Sequence, residues 1–467
     1  MQFLRRIRLR VPHTLTLLFG MMVLALIATW LVPQGAFDTE VTEEGMEVVV
    51  PGTFEVDEEA DHLTPWDLFT AIPRAFADAQ DVIFFVLIIG GVLAIMRATG
   101  TIEALIGRML EAFGKKPTTL IFAVVFVFSL ASGAIGTAGE YIPFVLILVA
   151  LCRAMNMDAM TAVAITLCGY GIGYGAASFN PFTVVIAQEI AGLDTYSGWQ
   201  VRAAILLPFV LVAVHHVARY AKRVQADPSR SLVADIKEVD TGISSDYPRL
   251  NRRHALILFA FVATMVVAVT GVATQGWFLI ELGACFLIFG VASAVIGGLS
   301  MDHTAERFIQ GATELAATAV LVGFARCIAL IMEDGLILHT IVHYLSMPLS
   351  LLGPELAAVG MMILQTILNF FIPSGSGQAF VTMPLMTPVA DLVDVPRQVA
   401  VLAYQFGDGF ANIIVPTNAI LMAILGTAGV PYGRWFRFFL PLFGKLLLLA
   451  GVILVLCVFF APVLPGF

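Results

Sequence analysis

Residues 370–385 read FFIPSGSGQAFVTMPL, and residues 407–422 read GDGFANIIVPTNAILM. Both segments are apolar but are interrupted by glycine, proline, serine and asparagine, the residues that most often end or break a helix. A stretch broken in this way does not divide into ordinary transmembrane helices, each of which needs about 20 apolar residues. The two segments therefore predict interrupted helices inside a membrane, with a hairpin tip at 374–378 and a helix break at 415–418.

The first half of the chain carries a matching pair of segments. Residues 129–144 read SLASGAIGTAGEYIPF, and residues 173–188 read GYGAASFNPFTVVIAQ. Three features match in order, namely the Ser-Gly pairs at 132 and 374, the prolines at 143 and 384, and the prolines at 181 and 416. We interpret the two halves as structural repeats, each with a hairpin tip and a broken helix. Interrupted helices in corresponding positions of two repeats indicate a transporter's binding site.

The composition places the whole chain in a membrane. Of its 467 residues, 59% are hydrophobic and only 13% are charged, whereas a soluble domain carries about 25% charged residues. The mean hydropathy is +0.92. Five cysteines lie in apolar runs without metal-ligand spacing, so we interpret them as small buried hydrophobic residues. The predicted fold class is an all-α polytopic membrane protein with inverted repeats, two re-entrant helical hairpins and two discontinuous helices.

Charge in the short loops predicts the orientation, because lysine and arginine concentrate on the cytoplasmic side. The arginines at 5, 6, 8 and 10 predict a cytoplasmic N-terminus, and the basic loop 219–253 is cytoplasmic on the same grounds. The acidic segment 34–81 then lies outside, and its alternating stretch 41–56 predicts a small β-hairpin. These signs agree only if each broken stretch, 117–191 and 355–428, combines one re-entrant hairpin with one crossing. The second repeat is then inverted relative to the first.

Continuous apolar runs predict ordinary spans near 14–33, 82–98, 201–218, 254–273, 277–299, 318–333 and 438–461. The predicted organisation is an N-terminal span (1–33), an acidic extracytoplasmic segment (34–81), a first repeat (82–218) with a hairpin at about 117–154 and a broken helix at about 158–191, a cytoplasmic loop (219–253), connecting spans (254–299), and a second, inverted repeat (300–461) with a hairpin at about 355–391 and a broken helix at about 397–428.

Polar residues at the tips and breaks are the candidate substrate ligands. Broken helices expose backbone groups that can line a cavity, and a helix N-terminus suits a carboxylate because it carries a partial positive charge. The candidates are Ser132, Gly133, Thr137, Asn180, Thr183, Ser374, Gly375, Ser376, Gln378, Thr417 and Asn418. The alternative interpretation is structural: the glycines permit close helix packing, and the hydroxyls bond back to their own helices.

Charged residues within predicted spans are a second signal, because each costs at least about 2.5–3.5 kcal/mol at the bilayer centre. Arg326 either faces an anionic substrate or pairs with an acid of the same bundle. Asp408 either coordinates a cation, carries a proton, binds a cationic group of the substrate, or is a structural partner. We assign Arg326 to substrate binding, and Glu140, Ser178, Asp408 and Asn412 to ion coupling.

Several classes of function are excluded or disfavoured. There is no P-loop, the one GxG-like text at 169–173 lies mid-membrane, and no catalytic triad or metal motif is visible, so we do not expect an enzyme. The net charge of −9, with its acids crowded into 34–81, disfavours a nucleic-acid partner. No cofactor is expected beyond Na⁺ or H⁺ as a coupling ion.

Three segments resemble a known family: residues 11–38, the block around 370–426, and GFARCIALIMEDG at 323–335. They are similar to the YfcC group of the DcuC-like C4-dicarboxylate and amino-acid carriers in the ion-transporter superfamily. The resemblance implies a scaffold and a transport domain, two opposed hairpins, an elevator-type motion and a homodimer in the bacterial plasma membrane. Sodium-coupled relatives carry Ser-Asn-Thr at their tips, whereas the tips here read Ser-Gly and the breaks carry Asn and Thr.

The expected function is secondary transport of a small carboxylate-bearing solute, either a C4-dicarboxylate or an amino acid. The substrate is anionic or zwitterionic, and transport is coupled to an ion or to exchange. An ion channel that uses the same broken segments as a filter is the alternative. The sequence leaves the choice between these substrates open.

Overall fold

The computed structural model describes residues 14–41, 47–57, 60–113, 116–236, 248–275, 277 and 279–467. The N-terminal arginines that predict the orientation lie outside the described residues, as do 237–247 of the basic loop. The chain is mainly α-helical, because a helix satisfies its backbone hydrogen bonds internally where water is absent.

Seven described helices are long and apolar enough to cross a membrane. They are α3 (Gln80–Ala98), α5 (Pro117–Ile135), α9 (Trp199–Ala226), α11 (Leu279–Gly297), α13 (Ala316–Asp334), α15 (Pro354–Phe371) and α19 (Tyr432–Phe460). Further apolar helices are α1 (Thr14–Leu31), α7 (Ala159–Gly175) and α10 (Arg252–Gln275). A helix therefore lies at every ordinary span that hydropathy predicts.

The acidic segment adds four short strands, so the chain is not all-α. Strand β1 (Gly35–Ala36) pairs with β4 (Glu55–Val56), and β2 (Thr39–Val41) pairs with β3 (Glu47–Val49), both antiparallel. The alternating stretch 41–56 predicts part of this arrangement. The observed strands begin nearer the N-terminus than this stretch, since β1 starts at Gly35.

This β-segment docks on α14 (Leu338–Ser346). The Phe37 N–H donates to His339 Nδ1 over 3.1 Å, and Phe54 stacks on His343 with ring centroids 4.2 Å apart. Burial lowers the pKa of His339, which keeps the ring neutral and its Nδ1 able to accept the hydrogen bond. The contact ties the acidic segment to the connection between α13 and α15.

Short amphipathic helices lie between the spans. They are α2 (Pro65–Asp78), α4 (Thr101–Phe113) and α12 (Met301–Glu314). Helix α12 packs directly on α3, where a side chain at Gly311 would place its Cβ 2.1 Å from the Gly90 carbonyl oxygen. Glycine is therefore required at this crossing, and the two backbones touch.

In the first half, α5 ends at a short turn and is followed by α6 (Ile142–Ala154). Gly136 caps α5 with a φ of +75°, a conformation that glycine adopts without strain. Helix α7 is capped by Asp158 and ends at Gly175, after which a π-turn (Pro181–Val185) leads into α8 (Ile186–Ile190). Residues 176–180 form the first break.

In the second half, α15 is followed by α16 (Gly375–Leu392), whose N-cap Ser374 accepts from the Gly377 N–H. Helix α17 (Arg397–Ala411) ends before a second break at residues 412–418, and α18 (Ala419–Thr427) then begins at the N-cap Asn418. Helices α15 and α16 thus form a pair in the chain position that α5 and α6 occupy in the first half. Re-entry from opposite membrane faces stays a prediction.

The two interrupted helices cross at the centre of the molecule. A Cβ at Gly409 of α17 would lie 2.1 Å from the backbone nitrogen of Gly175 in α7, so the backbones are in contact just before each break. Helix α18 packs against α13, where a Cβ at Gly426 would lie 2.7 Å from the Thr318 Oγ1. The first contact brings the two breaks close together, and the second holds α18 against α13.

Candidate substrate site

A cavity of about 230 Å³ lies where both hairpin tips approach the second break. This volume is below the range of about 300–1,000 Å³ that is common for drug-sized ligands, so it suits a small solute. Its lining comprises Val82, Gly136, Ala138, Gly139, Glu140, Tyr170, Tyr174, Phe182, Trp277, Leu279, Pro373, Ser374, Gly375, Ser376, Asn412, Asn418, Ala419 and Ile420.

Two helix N-termini open on this cavity. The first residues of α16, Gly375 and Ser376, and the first residues of α18, Ala419 and Ile420, all line it. Amides in a helix's first turn have no partner within the helix, and the aligned peptide dipoles make this end positive. The two N-termini can therefore receive a carboxylate.

The third helix end at the cavity carries its own carboxylate. The Ala138 N–H donates to Glu140 Oε2 over 2.6 Å, just before α6 begins. Glu140 is 9% exposed, and it is the one charged side chain among the described residues that line the cavity. Glu140 thus gives the cavity a carboxyl group, which can bind a cationic group when it is ionised.

Aromatic side chains form the remaining wall. Tyr170 and Tyr174 come from α7, Phe182 from the π-turn, and Trp277 from the connection between α10 and α11. The Tyr174 hydroxyl donates to the Gly136 carbonyl over 2.7 Å, which ties α7 to the first tip. Aromatic faces attract ammonium and guanidinium groups, so the wall has the same charge preference as Glu140.

The second break reaches the cavity through two asparagines. The Asn418 amide donates to Asn412 Oδ1 over 3.0 Å, and the Asn412 amide donates to Asp408 Oδ1 over 3.0 Å. Asn369 donates to the same Asp408 oxygen over 2.9 Å. Asp408 is fully buried and lies one residue behind the cavity wall.

The first break is closed against the first hairpin. The N–H groups of Ser178 and Phe179 both donate to the Gly133 carbonyl, over 3.1 and 3.0 Å. The Asn180 amide donates to the Ser132 carbonyl over 3.2 Å, and its oxygen accepts from the Phe182 N–H over 2.9 Å. Asn180 therefore has both of its polar atoms occupied by protein and does not line the cavity.

The structure divides the predicted site residues into three groups. Six line the cavity: Glu140, Ser374, Gly375, Ser376, Asn412 and Asn418. Nine lie outside its lining, around the tips and breaks: Ser132, Gly133, Thr137, Ser178, Asn180, Thr183, Gln378, Asp408 and Thr417. Hydrogen bonds explain several of these, since the Ser132 hydroxyl donates to the Thr137 carbonyl over 2.7 Å and that of Thr417 to the Phe370 carbonyl over 2.9 Å.

Arg326 forms the third group. Its guanidinium pairs with Glu333, at 2.9 and 3.1 Å, and with Asp78 of α2. It does not belong to the cavity lining. Of the two interpretations of Arg326, pairing with an acid of the same bundle is the arrangement that the structure has, because α2 brings Asp78 beside α13.

Sequence reasoning missed four features of the site. Tyr170 and Tyr174 lie within an apolar helix that gives no polar signal. Asn369 precedes the second tip and orients Asp408. Arg202 is fully buried in the first turn of α9, where its guanidinium donates to the side-chain oxygens of Gln398, over 2.6 Å, and Gln405. The arginine had a usable signal, since a charge inside the predicted span 201–218 needs a partner.

A second cavity, of about 410 Å³, lies at the other end of α7, beside Arg153, Asp158 and Ser231. Both oxygens of Asp158 are engaged there. One accepts from Thr161, and the other accepts from Tyr220 and Ser231. This cavity is larger but includes neither hairpin tip, and the helix N-terminus in its lining, that of α7, is capped by Asp158, so we place the substrate site in the first.

Comparisons with known proteins identify the family of the chain. The family model of the C4-dicarboxylate anaerobic carriers, DcuC, matches residues 11–459. The chain belongs to this carrier family. It is 32% identical over 491 residues to the Escherichia coli (strain K12) protein named "Putative basic amino acid antiporter YfcC", with 96% of each chain covered. It is also 27% identical over 494 residues to an uncharacterized protein of Haemophilus influenzae, covering 95% of this carrier and 96% of that protein.

Two solved transporters align with nearly the whole carrier. The Alcanivorax borkumensis YdaH transporter covers 97% of this chain and is itself fully covered, at a TM-score of 0.44 and 16% identity. The alignment with the Neisseria gonorrhoeae MtrF efflux pump covers 96% of each chain, at a TM-score of 0.41 and 19% identity. Family membership and the apolar helices together make this carrier a multi-pass membrane protein of a transporter family.

Proposed function

We propose that this carrier is a secondary active transporter of amino acids with a cationic side chain, and that it works by alternating access. The observation that carries the proposal is the charge pattern of the cavity. Two helix N-termini line it, and so do Glu140 and four aromatic rings. A zwitterion with an extra positive charge matches both kinds of group.

The substrate carboxylate would bind the first-turn amides of Gly375, Ser376 and Ala419, where the helix dipoles favour negative charge. The cationic side chain would lie between Glu140 and the rings of Tyr170 and Tyr174. A C4-dicarboxylate fits less well, because its second carboxylate would face Glu140 with no lysine or arginine among the described lining residues. The name of the Escherichia coli relative, a basic amino acid antiporter, supports this choice, whereas the name of the family, the C4-dicarboxylate carriers, favours a dicarboxylate.

The mechanism that we propose moves the cavity between the two membrane faces. The tips and the second break belong to interrupted helices, which in secondary transporters surround the substrate near the bilayer midplane. An elevator-type motion of this unit against a scaffold, a homodimeric assembly, a bacterial inner-membrane location and a cytoplasmic N-terminus complete the proposal. Exchange of one solute for another is the simplest cycle that the site permits, since it needs no other ligand in the cavity.

The test is counterflow in proteoliposomes. Vesicles preloaded with unlabelled arginine, lysine or succinate are diluted into a trace of the same labelled solute. We expect saturable accumulation of arginine and lysine, and little of succinate. Glu140→Gln should raise KM for arginine at least about tenfold, which corresponds to about 1.4 kcal/mol, whereas Glu189→Gln, at an exposed residue of α8, should leave it unchanged.

The outcomes separate the rival functions. Succinate accumulation that exceeds arginine accumulation in the wild type would overturn the cationic substrate and restore the dicarboxylate. Linear flux without saturation or counterflow would instead indicate the ion channel. An unchanged arginine KM in Glu140→Gln would remove Glu140 from the site while leaving the transport cycle intact.

A further inference from the structure

The β-segment, strands β1–β4, is attached to the second half of the molecule at three places. At its start, the Gly35 N–H donates to the Leu336 carbonyl over 3.0 Å. The Gln34 amide donates to the Gly335 carbonyl over 3.3 Å. Strand β3 packs against α16, the helix that begins at the second tip, and Val49 of β3 is 3% exposed. The third attachment, to α14, lies between these two.

The attachment to α14 depends on one histidine. The Phe37 N–H donates to the His339 Nδ1 over 3.1 Å, and the Phe37 side chain is 5% exposed. The neutral imidazole therefore carries its proton on Nε2, because Nδ1 is the acceptor. A second proton, on Nδ1, would turn the acceptor into a donor and set two N–H groups against each other. The hydrogen bond exists only while the ring is neutral.

The surroundings of His339 disfavour its positive charge. Burial lowers its pKa, and no neighbouring charge among the described residues contributes to that shift. The other titratable side chains on α14, on the β-segment beside it and on the helices packed against α14 are His343, Tyr344, Asp38, Glu40, Glu55, Glu355 and Asp391. Carboxyl groups ordinarily titrate near pH 4, about two units below histidine.

The second histidine of α14 is in a different position. His343 stacks on Phe54 with ring centroids 4.2 Å apart. A protonated His343 could keep this contact, because aromatic faces attract cations. Only the contact of His339 is incompatible with protonation.

We infer that the β-segment is a pH-sensitive strap, which neutral His339 keeps docked on α14 and α16 and which protonation of His339 releases. A histidine whose pKa is lowered in the docked state stabilises docking above its ordinary pKa of about 6.5 and loses that contribution as the pH falls through the docked value. The bonds of Gln34 and Gly35 involve no titratable group and persist. The released segment would leave α16 but stay attached at its start.

The consequence for transport, unlike the docking itself, rests on the proposed function. Helix α16 begins at the second tip, whose residues Ser374, Gly375 and Ser376 line the cavity. A strap on α16 would restrain the hairpin that must move during alternating access. Protons on the side of the acidic segment would then raise the rate of exchange.

The experiment measures how freely the β-segment moves in the purified full-length chain, without any solute. A nitroxide is attached at Glu55→Cys, an exposed position of β4, in a Cys285→Ser background, because the other four cysteines are buried. Electron paramagnetic resonance separates slow from fast motion of the label. We expect slow motion at neutral pH and a reversible rise of the fast component with a midpoint between about 4.5 and 6.5. A label at Leu351→Cys, 86% exposed after α14, should show no such rise.

Three variants assign the response to His339. His339→Asn offers a side-chain oxygen in place of Nδ1 and cannot be protonated, so the label should move slowly at every pH. His339→Lys carries a fixed positive charge and no acceptor, so the label should move fast already at neutral pH. His343→Phe is the matched control, since it keeps a ring against Phe54, and it should keep the wild-type response.

Four results would overturn the inference. The first is slow motion of the wild-type label over the whole range, and the second is a rise only below about pH 4.5, which would assign the response to carboxyl groups. The third is a response that persists in His339→Asn or disappears in His343→Phe. The fourth is fast motion in His339→Asn at neutral pH, which would show that the hydrogen bond does not hold the segment. If His339→Lys fails to fold, the other two variants still decide. Because no solute is present, failure here leaves the proposed transport standing, and failure of arginine counterflow leaves the strap standing.

Discussion

The first break, residues 176–180, and the second, residues 412–418, follow helices that cross each other, yet they are held in different ways. In the first, the Ala177 carbonyl accepts from the Gln405 amide over 3.1 Å, and Gln405 is in turn held by the buried guanidinium of Arg202. In the second, the Ile413 carbonyl accepts from the Trp435 indole and the Ile414 carbonyl from the Tyr432 hydroxyl, each over 2.7 Å.

The difference is the reason that we propose a substrate contact for the second break only. Carbonyl groups of the first hairpin accept hydrogen bonds from the amides of the first break. We therefore interpret Asn180 as a structural residue. Neutral aromatic donors hold two carbonyls of the second break, and there Asn412 and Asn418, which bond to each other, line the cavity. Two segments that look alike in the sequence thus have different surroundings, and the residues that make the difference lie outside both segments.

The largest effect is expected where the two broken helices touch. Gly409→Ala would place a methyl group 2.1 Å from the Gly175 backbone nitrogen and would push both breaks apart. Overpacking against backbone should cost about 3 kcal/mol, the upper end of the usual range. The measurement is Tm and the folded yield after size-exclusion chromatography. Gly444→Ala is the control, since nothing lies within 4 Å of a Cβ there. Equal behaviour of the two variants would contradict the crossing.

The hydrogen bonds that hold the first break through Gln405 should contribute more to stability than the one that holds the second break through Trp435. Gln405→Leu removes an acceptor from a buried guanidinium and should cost about 2–3 kcal/mol, because hydrogen bonds to charged groups are the stronger class. Trp435→Phe removes a neutral donor from the Ile413 carbonyl and should cost about 1 kcal/mol. Chemical denaturation of both variants measures the two costs, with Gln310→Leu on the exposed face of α12 as the control. A larger loss of unfolding free energy in Trp435→Phe than in Gln405→Leu would contradict this difference between the two breaks.

The smallest effect on the free energy of unfolding is expected for Asn418→Ala, which should nevertheless change the KM for arginine. Asn418→Ala removes the N-cap of α18, worth about 1 kcal/mol, and should raise KM for arginine about tenfold, which corresponds to about 1.4 kcal/mol of binding. Asn180→Ala should lower Tm but leave the arginine KM of the folded protein unchanged. Uptake normalised to folded protein separates the two effects. A raised KM in Asn180→Ala would mean that the first break also contacts substrate.

Much of this architecture is predictable because it depends on local sequence. Apolar length locates the spans, and the polar interruptions at 374–378 and 415–418 locate segments that end helices. The membership of the carrier family, anticipated from the segments at 11–38, 323–335 and 370–426, is confirmed. Glu140 and Ser374 stand out in the sequence because a charge and a capping hydroxyl are unusual in apolar surroundings.

What could not be predicted depends on contacts between distant residues. The sequence treats Asn180 and Asn418 alike, and the two are distinguished by the first hairpin, whose Ser132 carbonyl accepts from the Asn180 amide. Arg326 has many conceivable partners, and its pairing with Asp78 requires knowing that α2 lies beside α13. Tyr170 is invisible as a ligand because an aromatic residue in an apolar helix is most often packing.

The contact of α18 with α13 has a mechanical consequence. Gly426 meets Thr318 there, so this part of the seam joins a residue with no side chain to one with a short side chain. Large interdigitated side chains resist displacement, because each must leave the space it fills. A shallow seam lets two helices slide along each other with little repacking, which is the shear mode of domain motion. Displacement of α18 along α13 would therefore meet little steric resistance at this contact, as the alternating access that we propose requires.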